Sequence, residues 1–198
     1  MPLRLVMMGT GTFALPSFLG LMRSQHEVAA LFTQPDRIGR GHHRHPHPMK
    51  DAAVERGIPV FQPDNVNAAE SLDQLRSLRA DLFVVAAYGQ ILSAELLAIP
   101  RLGAINVHAS LLPRYRGAAP IQYALWKGDT ETGITLFQIE PKLDAGPILG
   151  RIQTPIDPDE TSGELESRLS QLAAPLTLDV VDQLAENRAE ALPQNPGE

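Results

Sequence analysis

Residues 81–88 read DLFVVAAY, and every side chain from Leu82 to Ala87 is apolar. A strand with one wet face alternates apolar and polar residues, whereas a strand covered on both faces does not. This stretch therefore reads as an inner strand of a parallel sheet. Working outward, Leu3–Gly9, Val28–Thr33, Val60-Phe61 and Gly103–His108 have the same short apolar character. Between them lie stretches of helical spacing: Phe13–Ser24, Pro48–Gly57, Ala68–Arg79, Leu92–Ala98 and Ala119–Lys127. Strands alternating with helices imply an α/β, Rossmann-like open and mostly parallel sheet with helices on both faces. In such sheets ligands bind beyond the carboxyl ends of the strands.

The pattern changes after Lys127. Thr132–Pro141 and Pro147–Pro155 are two strands with no helix between them, so a reversed, hairpin-like pair is expected. Thr161–Asn187 follows as a long amphipathic helix. Thr161 and Glu164 have capping-box spacing, and Leu165, Leu169, Leu172, Leu176, Val180, Val181 and Leu184 form its apolar side.

The 198 residues suffice for one ordinary domain, or one with a tail. With 43% hydrophobic and 20% charged residues the chain is globular, not disordered. It contains no cysteine, which excludes disulfides, thiolate catalysis and cysteine-bound metals. No apolar run is long enough for a membrane span. The apolar start is broken by Gly9, Gly11 and Pro16 and reads as strand, turn and helix, not as a signal peptide. A cytoplasmic location fits. The net charge of −6 argues against a surface that binds nucleic acid throughout. Residues 151–198 hold 3 basic and 10 acidic residues, while the segment 34–50 is locally basic. That segment carries Arg37, Arg40, Arg44 and Lys50 against Asp36, and suits an anionic partner.

Several motifs have two readings. Gly9-Thr10-Gly11-Thr12-Phe13-Ala14 has the glycine spacing of a dinucleotide turn. The acid expected at the end of the second strand is missing, because Phe32-Thr33-Gln34 stands there, so a structural turn is the better reading. His42, His43, His45 and His47 could suggest a metal, but prolines interrupt them, so no metal is expected. Ser110 lacks a nucleophile elbow and reads as a turn residue. Asn106 and His108 are two apart on one strand and share a face at its carboxyl end. They suit oxyanion stabilisation and proton transfer, or else a hydrogen-bonded pair that ends the strand. Asp144, in a glycine-containing loop, gains meaning only if it folds back on His108.

These residues lie in INVHASLLPRYRGAAPIQYALWKGDTETGITLFQIEPKLDAGPIL (residues 105–149), which resembles the folate-dependent formyltransferases. With FTQPDR (32–37) and VVAAYGQIL (84–92), the string RYRGAAPIQ (114–122) is most similar to the branch acting on methionyl-tRNA. The resemblance covers essentially the whole chain. It implies 10-formyltetrahydrofolate as donor and the α-amine of initiator methionyl-tRNA as acceptor, with no metal. Asn106, His108 and Asp144 would be catalytic. The resemblance implies that the amide and a protonated imidazole stabilise the oxyanion while Asp144 holds the imidazole. Folate would lie against Tyr88, Gly89, Gln90, Ile91 and Leu92, against Ser110, Leu111, Leu112 and Pro113, and against Leu143. Arg37, Arg40 and Arg44 would face the tRNA from a loop that departs from the family pattern by one missing residue and by histidines in place of lysines. Residues 1–189 would be the catalytic domain and 190–198 the start of a linker. On this resemblance the family's carboxy-terminal β-barrel would be missing, and tRNA binding is expected to be weak. Transfer to another primary amine, such as an amino-sugar nucleotide, and a non-catalytic folate-binding module are the alternatives.

Overall fold

The computed structural model describes residues 1–36 and 47–195. Its strands are β1 (Arg4–Gly9), β2 (Glu27–Phe32), β3 (Val60–Phe61), β4 (Leu82–Ala86), β5 (Ala104–His108), β6 (Glu131–Gln138) and β7 (Ile148–Pro155). The helices are α1 (Gly11–Arg23), α2 (Pro48–Glu55), α3 (Ala69–Ser77), α4 (Ala94–Leu97), α5 (Pro120–Lys127) and α6 (Ser162–Ala185). One sheet runs β3-β2-β1-β4-β5-β6-β7. The first five strands are mutually parallel, β6 is antiparallel to β5, and β7 is antiparallel to β6.

Alternation along the inner strands builds two cores. Leu5 and Met7 of β1 and Leu82 and Val84 of β4 pack with α1, α2 and α6. Val6 and Met8, with Phe83 and Val85, face the other way and pack with Leu72, Leu75 and Leu96 of α3 and α4. Both faces of β4 are thus dry, which is why its sequence does not alternate. The chain crosses from β3 to β4 past β1, so the sheet reverses its order of addition between β1 and β4. Gly9 ends β1 there, and a Cβ on it would lie 2.8 Å from the Ala86 carbonyl oxygen. That close approach gives the glycine-rich turn a structural reason.

Helix α6 begins with the expected capping box. Thr161 Oγ1 accepts from the Glu164 amide, and the Glu164 carboxylate accepts from the Thr161 amide. Arg168 ties this end of the helix to β7. Its guanidinium donates to both Glu160 carboxylate oxygens at 2.8 and 2.7 Å, to Thr154 Oγ1 at 2.5 Å and to the Pro155 carbonyl at 2.8 Å. The Arg168 hydrogen bonds hold the Glu160 carboxyl below its ordinary range. Such a group stabilises the fold above its unfolded pKa and loses that contribution as pH falls through the depressed value. Arg168→Ala is expected to lower stability by about 1 kcal/mol at neutral pH, since the arginine is partly exposed. Urea titrations should show the gap to wild type closing below about pH 4.

Candidate active site

Strand alternation puts Asn106 and His108 on one face of β5, at its carboxyl end. Their register is set from both sides: Asn106 lies beside Val85 of β4 and Phe137 of β6, and His108 beside Thr135 of β6. The imidazole packs edge-on against the Phe137 ring, with centroids 6.3 Å apart. His108 Nε2 lies 2.8 Å from the Tyr115 carbonyl oxygen. A carbonyl only accepts, so Nε2 carries the proton in this bond and the imidazole exchanges protons at Nδ1. Nδ1 faces Asp144 Oδ2 at 3.8 Å. That distance exceeds a direct hydrogen bond and leaves room for a bridging group. Asp144 thus folds back on His108.

The Asp144 loop is tightly held. The backbone of Asp144 is left-handed, with φ of 44°. Asp tolerates that conformation better than most residues. Its Oδ2 accepts from the Gly117 amide at 2.7 Å. One short backbone segment therefore orients both partners: Tyr115 through its carbonyl and Gly117 through its amide. Gly117 itself has φ of 89°, where glycine is strongly favoured. The segment is braced by the Tyr115 hydroxyl, which donates to Asp129 at 2.8 Å, and by Arg114, which donates to the same carboxylate at 2.9 Å.

The Asn106 amide is half-buried and makes no side-chain hydrogen bond among the described residues. An NH₂ donor on the same strand face as the imidazole is suited to a ligand oxygen.

The other expected residues divide into scaffold and surface. The Ser110 hydroxyl is buried and donates to the Arg114 carbonyl at 2.6 Å. The Leu112 amide donates to Thr135 Oγ1, which donates to the Ser110 carbonyl. Leu112 is buried, and Leu111 and Pro113 are half-buried. The Tyr88 ring lies in the second core, its hydroxyl has no partner among the described residues, and burial pushes its ionisation upward, so the phenol stays neutral. The Tyr88 carbonyl accepts from Gln34, and Gln90 is occupied by the Val66 amide and the Pro63 carbonyl. Leu92 packs against the second core.

Two expected contacts are open. Ile91 is 85% exposed and Leu143 is 64% exposed, on the two loops assigned to folate. The peptide N–H groups of residues 89–92 make no hydrogen bond among the described residues. Exposed apolar side chains beside a free peptide edge fit a flat heteroaromatic ring bearing donors and acceptors. Arg37, Arg40, Arg44, His42, His43 and His45 lie outside the described residues. Among the described residues no three histidine or acidic side chains converge as a metal site. No described helix is long and apolar enough to cross a membrane.

Sequence reasoning missed Tyr115, Arg116, Gly117 and Gln194 as site-building residues. The first and third act through main-chain atoms, which leave no residue-type signal. The Arg116 guanidinium donates to Gln194 Oε1 at 3.1 and 2.7 Å across 78 positions, a pairing that local spacing does not reveal.

The family profile described as formyl transferase matches residues 3–181. Methionyl-tRNA formyltransferase of Methylococcus capsulatus is 48% identical over 187 residues, 94% of this chain and 61% of that protein. The protein of the same name from Moorella thermoacetica is 47% identical over 194 residues, 98% of this chain and 62% of that protein. The chain spans about three fifths of the length of these curated relatives. Glycinamide ribonucleotide transformylase 1 from Symbiobacterium toebii has a TM-score of 0.80 at 19% identity, covering 96% of this chain and 94% of that one, which is likeness of fold. The Geobacillus kaustophilus protein of that name has a TM-score of 0.75 at 27% identity, covering 93% and 99%. Fold, sequence profile and relatives agree, and the chain belongs to the formyl transferase family.

Proposed function

We propose that this chain transfers a formyl group from 10-formyltetrahydrofolate to the α-amino group of initiator methionyl-tRNA. The observation that carries the reading is the approach of His108 Nδ1 to the Asp144 carboxylate at the carboxyl end of β5, with Asn106 on the same strand face as His108. The two relatives named methionyl-tRNA formyltransferase support the acceptor. In this reading residues 1–189 are the catalytic domain, which binds tRNA weakly on its own, and the reaction is cytoplasmic.

The amine lone pair bonds to the formyl carbon, and the carbonyl pair moves to oxygen. Asn106 Nδ2 and a protonated His108 Nδ1 donate to that oxyanion. The attacking nitrogen gives up a proton, for which Asp144 is the adjacent acceptor. The oxygen pair then returns, the bond from carbon to N10 breaks, and N10 takes up the proton that Asp144 accepted. The products are N-formylmethionyl-tRNA and tetrahydrofolate. The exposed side chains of Ile91 and Leu143, one on each loop, would hold the folate ring.

A surface suited to unpaired nucleotides adjoins the site. Tyr123 stacks on Tyr115, and Trp126 meets Tyr123 edge-on. Trp126 is 75% exposed and Tyr123 47% exposed, with Lys127 over the Trp126 ring and Arg114 over the Tyr115 ring. Aromatic rings beside cations bind single-stranded bases through stacking. Trp126→Ala is therefore expected to raise KM for methionyl-tRNA about fivefold or more, leaving KM for the folate unchanged.

The reading is tested by offering the chain 10-formyltetrahydrofolate with methionyl-tRNA and, separately, with an amino-sugar nucleotide at low salt. Low salt keeps weak tRNA binding measurable. Preferential formylation of methionyl-tRNA is expected, whereas transfer to the sugar alone would overturn the acceptor. Folate binding with no transfer to either amine would make the protein a binding module.

A further inference from the structure

We propose that Gln194 is a positioning residue for Asp144, an inference that rests on the catalytic reading above. Gln194 lies after α6, in the stretch that reads as the beginning of a linker. It is held near the site by Leu192, whose amide and carbonyl pair with those of Ile148 at 2.8 and 2.7 Å. The Gln194 Nε2 donates to the carbonyls of Asp144 at 2.9 Å and Gly146 at 2.8 Å. Its Oε1 accepts from Arg116 Nε and from a terminal guanidinium nitrogen. Both donors of the amide and its oxygen are thus engaged.

The identity of the partners gives this clamp its consequence. Arg116 stands between Tyr115, which receives the His108 proton donor, and Gly117, which donates to Asp144. Asp144 lies in the turn that carries the carboxylate, and Gly146 directly follows that turn. Gln194 therefore closes a ring through both segments that orient the catalytic pair. The two carbonyl contacts of Gln194 tie down the backbone that carries the Asp144 carboxylate. Glutamate cannot replace it, because it lacks the NH₂ donor, and asparagine is one methylene shorter.

The test uses Gln194→Leu, with Gln194→Glu as a second variant that keeps only the acceptor for Arg116. Each is expected to lower kcat at least tenfold while KM for 10-formyltetrahydrofolate stays within twofold. Introduced into Asp144→Ala, Gln194→Leu is expected to lower kcat less than a further twofold, because the group it positions is gone. In ¹⁵N–¹H spectra of Gln194→Leu the Gly117 amide resonance should move as its bond to Asp144 loosens, while amides of β1 and β4 stay in place. A wild-type kcat in Gln194→Leu overturns the proposal, as does an equal loss with and without the Asp144 carboxylate. Should the wild-type chain transfer no formyl group, the catalytic reading itself fails. The Gly117 resonance then decides the positioning claim alone: movement supports it and an unmoved resonance overturns it.

Discussion

Asn106→Ala and His108→Ala are each expected to lower formyl transfer about 10²–10³-fold, the typical loss when one oxyanion donor is removed. Asn106 is the cleaner probe. Among the described residues its amide holds no other side chain or loop, so its removal takes away a donor and leaves the scaffold intact. The thermal midpoint of Asn106→Ala should stay close to wild type. His108→Ala also strands the Tyr115 carbonyl, and some loss of stability is expected with the loss of rate. Loss of an interaction made only in the transition state lowers kcat without raising KM for the folate. Steady-state kinetics of the two variants, with calorimetry alongside, check both parts. Unchanged turnover in both would remove β5 from the chemistry.

Gly146→Ala is expected to lower turnover about 10²-fold by moving Asp144 rather than deleting it. A Cβ at Gly146 would lie 1.8 Å from the Gln138 carbonyl oxygen and 3.0 Å from its carbon. Both are backbone atoms of β6, which is paired on both sides and cannot retreat. The loop must therefore move, carrying with it the Asp144 carboxylate two residues away. A lower thermal midpoint is expected as well. Gly163→Ala is the matched control. It sits in the first turn of α6 with open space where a Cβ would go, so full activity and a slightly raised midpoint are expected.

The layers of the fold were readable because burial on two faces and burial on one leave different patterns. Leu82–Ala86 is apolar throughout and lies inside the sheet, as its lack of alternation requires. The reversal at β6 was readable from two strands with no crossover helix between them. Element ends were less legible. The helix expected over Leu92–Ala98 is only Ala94–Leu97, because Ser93 caps it by accepting the Leu96 amide. The site was legible where it obeys local periodicity. Asn106 and His108 stand two apart on a strand, and that spacing alone put them on one face. Spacing could not join Asp144 to them, because its approach depends on how β6, its following loop and the 115–117 segment pack. Resemblance supplied that residue, and the 3.8 Å approach to His108 supplies its physical reason. Gln194 was illegible for a related cause: its partners at 116, 144 and 146 are brought to it only by the finished fold.

In the proposed reaction Asn106 and His108 act together on a formyl group passing from folate to an amine. This is tested most directly by supplying donor labelled in the formyl carbon with methionyl-tRNA, then hydrolysing the ester and measuring labelled N-formylmethionine. The wild-type chain should produce it, and Asn106→Ala/His108→Ala should produce none above the uncatalysed background. Absence of label from the methionine of the wild-type reaction, or equal labelling by the double variant, would contradict the account.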